Sequence, residues 1–256
     1  MLEVGRRLVT DAGGLRPGID VPFEDVIRQA EVTRSSAYRI WPNKDEFYTD
    51  LLLDLAEYFD RNISGFDEML AEIAIAKISQ RVDELRSSQG RHQLLLDICR
   101  ASGDAYFTHV SNSKVWPNYV LLNSRLVSLE DELYAKVKAA SSPHNASFDV
   151  AMTSLISQLL LMLGLRLRPG VVSPDFVLQL AGSAVDGVVL REKSVPSQVN
   201  VVVRARMFGH SQEASWSLPS IAFTACILSL VEPDPEWHDA RIPMISAMLA
   251  STTNKA

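Results

Sequence analysis

Residues 21–52 read Val-Pro-Phe-Glu-Asp-Val-Ile-Arg-Gln-Ala-Glu-Val-Thr-Arg-Ser-Ser-Ala-Tyr-Arg-Ile-Trp-Pro-Asn-Lys-Asp-Glu-Phe-Tyr-Thr-Asp-Leu-Leu, and their periodicity decides the architecture. Pro22 suits the first turn of a helix, where its missing N–H would have no partner anyway. Phe23, Val26, Ile27 and Ala30 then fall at the i, i+3, i+4, i+7 positions of a packed stripe. Glu31, Val32 and Thr33 make a tight turn, with Thr33 placed to cap a helix from Arg34 to about Trp41. A helix that short must pack on its neighbours, because isolated helices below ~12 residues are marginal. After Pro42, Asn43 caps a further helix, Glu46 reaches back to complete the cap, and Phe47, Leu51, Leu55 and Tyr58 share one face to about Asn62.

Outward from this stretch the pattern stays helical. Leu2, Leu8 and Val9 give a preceding helix its apolar face, and Gly13-Gly14 ends it. Later helices are predicted at roughly 66–88, 92–111, 117–140, 146–167, 174–192 and 218–231, with a weak strand-like alternation from Val199 to Arg204. The fold class is therefore all-α: an N-terminal three-helix helix-turn-helix domain followed by a helical body. The predicted domains are 1–48, 49–193 and a C-terminal extension, 194–256, packed on the body.

Composition limits the function classes. With 47% hydrophobic and 22% charged residues the chain is an ordinary globular protein. The longest apolar run, Leu155 to Leu167, is interrupted by Ser157, Gln158, Gly164 and Arg166 and falls short of the ~20 residues of a membrane span. The first residues lack the pattern of a secretory signal, so a cytoplasmic location is expected. Cys99 and Cys226 have neither disulfide-framework nor zinc-site spacing, and no metal or cofactor is expected. A net charge of −6 disfavours broad nucleic-acid binding, so any DNA contact must come from a local patch.

Residues 34–44 supply such a patch. The short helix carries Arg34, Ser35, Ser36, Tyr38 and Arg39, and Lys44 sits in a helical first turn, where the macrodipole disfavours a cation by ~0.3–1 kcal/mol. A DNA phosphate at that terminus would use both the free N–H groups and the Lys44 charge. Arginine grips guanine in a bidentate fork, and hydroxyls suit phosphates.

With these residues, 21–52 resembles the TetR (tetracycline repressor-like) family, whose reader runs Ala-Gly-Val-Ser/Thr, three residues, Leu/Ile-Tyr, two residues, Phe, two residues, Lys-Glu-Glu-Leu. Ala30, Val32, Thr33, Tyr38, Trp41, Lys44, Glu46 and Phe47 fall at matching or equivalent positions. The resemblance implies that Tyr38 and Lys44 clamp phosphates and that Thr33 caps its helix and touches the backbone. Arg34, Ser35, Ser36 and Arg39 would face bases or adjacent phosphates. Glu31 stands where the family has a turn glycine, so either it accepts a left-handed conformation or the turn differs. The family's basic arm before the first helix has no counterpart here.

The resemblance further implies a dimer that spans two half-sites and an effector pocket among the central helices. The predicted dimer contact uses helices 146–167 and 174–192, with Leu178, Ala181, Gly182, Val185, Val188 and Val189 facing the partner. The predicted pocket, for a largely apolar small molecule, draws on Phe66, Cys99, Gly103, Tyr106, Phe107, Trp116, Tyr119 and Asn123. The implied function is a ligand-responsive transcriptional regulator, most simply a repressor, with double-stranded operator DNA, an effector and a second copy as partners.

Enzymatic readings are thin. Gly209-His210-Ser211-Gln212-Glu213 lacks the final glycine of a nucleophile elbow and the α/β alternation around one. Asp234, Glu236, His238 and Asp239 read as a proline-flanked solvated loop, and His92, His109 and His144 are dispersed. No catalytic residue is assigned. The rival is a helical small-molecule-binding or protein-interaction module whose DNA reader is degenerate.

Overall fold

A computed structural model describes residues 1–11, 21–62, 66–126 and 129–253. The chain is all-α, with short strands only as accessories. It divides into two compact units, residues 1–64 with 112–148, and residues 65–111 with 149–256. Segments distant in sequence thus share a unit, an arrangement that the linear boundaries at 48 and 193 do not convey.

The first unit is built from α1 (Leu2–Asp11), α2 (Phe23–Gln29), α3 (Arg34–Ile40), α4 (Lys44–Asn62), α7 (Trp116–Leu126) and the first part of α8 (Asp131–Leu163); α5 (Phe66–Gln80) and α6 (Ser88–Asn112) belong to the second unit. Phe47, Leu51 and Leu55, one turn apart on α4, are fully buried. Val9 from α1, Val26 and Ile27 from α2, Ala37 from α3, Leu122 from α7 and Val137 from α8 close over them. Gly5 lets α1 approach α4, since a Cβ there would stand 3.0 Å from the Leu51 side chain. The Gly13-Gly14 stop lies outside the described residues.

In the second unit, α9 (Pro174–Ser194) lies along α11 (Leu218–Leu230). The latter is largely apolar and buries Phe223, Thr224 and Ile227, while Ala225 and Ser229 stay exposed. Between them come α10 (Pro196–Val199) and an antiparallel hairpin, β2 (Val202–Ala205) with β3 (Ala214–Ser217). A second antiparallel pair joins β1 (Leu165–Leu167) to β4 (Val231–Pro233), and α12 (Ile242–Thr253) packs on α5.

Three predicted helices change. Helix 66–88 ends at Gln80 and continues as a 3₁₀ turn, Val82–Arg86. Helix 117–140 divides, and its second part merges through Pro143 with helix 146–167 to give α8. Helix 146–167 in turn stops at Leu163, where Gly164 turns left-handed at φ 62° and redirects the chain into β1. A side chain at Gly164 would lie 2.7 Å from the Trp237 ring, so the position requires glycine.

Candidate nucleic-acid interface

Sequence builds the α2–α3 unit in three steps. The end of α2 is closed by Ala30 N–H donating to the Val26 carbonyl at 2.8 Å, and Glu31 then takes φ 53°, the left-handed conformation usually left to glycine. Thr33 caps α3 by accepting from the Ser36 N–H at 3.3 Å. The Thr33 and Ser36 hydroxyls also bond to each other at 2.8 Å. Both serve the helix end, with Thr33 exposed and Ser36 half-buried.

An aromatic cluster holds α3 at a fixed angle. Phe23 meets Tyr38 edge-on with ring centroids 5.4 Å apart and Phe47 at 4.8 Å, while Trp41 meets Phe47 at 5.2 Å. The buried Trp41 indole N–H donates to Asp50 at 2.8 Å, which satisfies its polar edge. A seven-residue helix, marginal on its own hydrogen bonds, is thereby fixed by packing as well.

The outward surface of α3 carries Arg34, Ser35, Tyr38, Arg39 and Ile40, and Lys44 is exposed beyond it. Ile40 is 62% exposed, a large apolar side chain left in water beside cations. Asn43 caps α4 by accepting from the Glu46 N–H at 2.9 Å, and its amide donates to the Glu46 carboxylate at 2.7 Å. Asp45 and Glu46 share the first turn with Lys44, so they offset the macrodipole that would otherwise disfavour the cation.

Glu24 is the residue that sequence reasoning missed. From α2 its carboxylate accepts from Arg34 Nη2 at 2.6 Å and from the Tyr38 hydroxyl at 3.2 Å. Tyr38 first, and Glu24 next, raise the Arg34 pKa above the ordinary arginine value, so its charge is permanent. No sequence signal marks the pairing, because the residues are ten and fourteen positions apart and meet only once α2 and α3 cross. Between Phe23 and Glu46, five carboxylates stand against four cations, so the patch is mixed and not a basic stripe.

The predicted effector contacts that are described are divided between the two units. Trp116 is buried and Tyr119 packs against the core of the first unit, while Asn123 donates to the Tyr119 carbonyl at 2.9 Å. The Phe66 side chain lies outside the described residues. In the second unit Gly103 is consumed by packing: a Cβ there would meet Phe223, Pro219 and Ser220 of α11 at 2.9 Å. The Tyr106 hydroxyl donates to Asp186 at 3.0 Å, and Phe107 is half-buried. Cys99 does line a cavity with Leu95, Ile156, Leu178 and Ile227, but its volume of about 40 Å³ is far below the ~300 Å³ of the smallest ligand sites. Burial pushes the Cys99 thiol up to about 12, so it stays a protonated hydrophobe.

The predicted dimer residues also fall on the other side of their helix. Leu178, Ala181, Val185, Val188 and Val189 are buried in the chain's own core, and a Cβ added at Gly182 would lie 3.8 Å from the Tyr106 ring. They are spent on packing within the chain, against α11 and its neighbours. The face of α9 that points to solvent carries Phe176, Leu180, Ser183, Gly187 and Leu190, spaced four, three, four and three. On α8, Val150, Ser154, Ser157 and Leu161 are exposed with the same alternation. The helices are adjacent where Thr153 donates to Asp175 at 3.5 Å.

His210 of the Gly-His-Ser segment bonds to Asp97 at 3.3 Å, and the Ser211 N–H donates to Gln93, which ties the hairpin tip to α6. Among the described residues, no group of three or more His, Cys, Asp or Glu is placed to hold a metal. No helix among them is long and apolar enough to cross a membrane.

Comparison with protein-family models, with curated proteins and with solved structures returns no match, so local geometry carries the functional reading.

Proposed function

We propose that this chain is a DNA-binding transcriptional regulator of the cytoplasm, acting as a homodimer and controlled by a small molecule. The observation that carries the reading is the outward surface of α3. It exposes Arg34, Ser35, Tyr38 and Arg39 on a helix held by aromatic packing, the Thr33 cap and the Glu24 contacts, with Lys44 beyond its end. A short, rigid, polar helix after a tight turn is what a major-groove reader needs, with arginine for guanine edges and hydroxyl and ammonium groups for phosphates. The resemblance to the TetR family supports the same reading and favours repression.

Two readers must engage half-sites ~34–36 Å apart, which requires a symmetric pair. The three-four alternation of exposed apolar and small residues on α8 and α9 is the pattern of a helix seam and supports self-association there. The test is retardation of duplex DNA from the promoter next to the protein's own gene, searched first for a short inverted repeat. A shift competed by unlabelled repeat and not by scrambled duplex is expected.

One observation favours the rival reading, a helical binding module with a silenced reader. Glu24 already engages Arg34 and Tyr38, so a carboxylate competes with DNA for those two side chains. Failure to shift any duplex, with Glu24→Ala failing likewise, would favour the rival.

A further inference from the structure

A cleft of about 380 Å³ opens in the second unit, lined by the start of α6, the β1–β4 pair and the end of α11. It is roughly ten times the cavity beside Cys99 and falls in the ~300–1,000 Å³ range of small-molecule sites. Its lining joins Leu95, Leu165 and Leu228 to Arg91, His92 and Arg168.

Arg91 is held ready for an anion. Its Nη1 donates to the Leu85 carbonyl at 2.8 Å, and its guanidinium stacks 3.8 Å over the Trp237 ring. Gly164 keeps that position open, since a Cβ there would lie 2.8 Å from Arg91 Nε. Burial lowers the Arg91 pKa, opposed only by the charge of Asp239. A planar fork fixed in this way loses little freedom when it grips a carboxylate.

Arg168 is loosely engaged. It stands 3.7 Å from Glu232, whose other oxygen is held by Arg166 at 2.7 Å. His92 bonds to the Phe208 carbonyl at 2.8 Å and so forms part of the wall. Two cations, Arg91 and Arg168, and one carboxylate, Glu232, are the charged side chains that line the cleft, with Arg166 already paired to Glu232 and Asp239 acting on Arg91 from outside the lining.

We propose that this cleft binds a small organic monocarboxylate, its carboxylate paired with Arg91 and Arg168 and its hydrocarbon body laid on Leu95, Leu165 and Leu228. The binding stands on the cleft alone. Its role as the effector rests on the regulator reading above.

The experiment is isothermal titration calorimetry of the full chain with octanoate, octan-1-ol and inorganic phosphate. Octanoate is expected to bind at least tenfold more tightly than the alcohol or phosphate, and Arg91→Ala and Arg168→Ala should each weaken octanoate at least fivefold without changing the alcohol. Equal affinity for acid and alcohol, tighter binding of phosphate, no binding of octanoate, or variants that retain wild-type affinity would each overturn the site. Arg91 has structural contacts, so if Arg91→Ala loses its circular dichroism spectrum the more exposed Arg168→Ala decides. Octanoate that binds as stated yet leaves DNA affinity unchanged would remove the effector role and keep the site. DNA binding without octanoate binding would remove the site and keep the reader.

Discussion

Glu24 on α2 and Arg34 at the start of α3 form an ion pair at 2.6 Å, and the same carboxylate oxygen accepts from the Tyr38 hydroxyl. The pair aligns the two helices and masks two of the side chains proposed to meet DNA. Replacing Glu24 by Ala therefore frees Arg34 and Tyr38 at once. DNA affinity should rise several-fold, and the slope of log affinity against log salt should steepen by ~0.9 for each additional phosphate neutralised. Fluorescence anisotropy with a labelled duplex measures both; weaker binding by Glu24→Ala would mean that the clamp orients α3 more than it masks it.

The exposed seam on α9 predicts two opposite outcomes from one kind of substitution. Leu180→Glu with Leu190→Glu places charge on the solvent face and should yield a folded monomer by analytical ultracentrifugation. Val185→Asp places charge where Val185 is fully buried and should unfold the second unit. A monomeric wild type, or a double variant that still dimerises, would remove the seam.

Close helix contact at Gly103 is a matter of stability and not of ligand binding. A methyl group there lies 2.9 Å from backbone atoms of Pro219 and Ser220, which cannot swing away. Gly103→Ala should cost ~1–3 kcal/mol in urea unfolding by overpacking. An unchanged midpoint would show that α6 and α11 can part at no cost.

Asp97 links stability to pH. Burial acts to raise its pKa, but bonds from Arg81, Arg100 and His210 outweigh burial and hold it below the usual 3.8. A carboxylate depressed in the folded state stabilises above its unfolded pKa, and that contribution fades as pH falls through the folded value. The stability gap between wild type and Asp97→Asn should be full near pH 6 and narrow below about pH 4. Chemical unfolding across that range measures it, and a gap that stays constant would mean that the network is held by geometry alone.

Local patterns were legible in the sequence because their causes are local. Thr33 as cap, the Asn43–Glu46 pairing and the stripe Phe23, Val26, Ile27 are dictated by positions within one or two turns, and each is found. Glu31 adopts the left-handed option that the sequence left open. What failed required knowing which neighbour a helix meets. α9 has two apolar faces, and only the packing of α11 decides which one is buried; the buried face carries Val185 and the exposed one Leu180. Trp116 and Gly103 fit either a pocket or core packing until their partners are known. Glu24 and the Arg91 cleft join residues too distant in sequence to signal one another.

The central claim is that the α3 surface and Lys44 lie against nucleic-acid phosphates, and the salt dependence of duplex binding tests it most directly. Wild type should show a steep negative slope of log affinity against log salt, and Arg39→Ala with Lys44→Ala should flatten it by about two while the far-ultraviolet spectrum is unchanged. Equal slopes for wild type and the double variant would contradict the account, because binding would then come from some other surface.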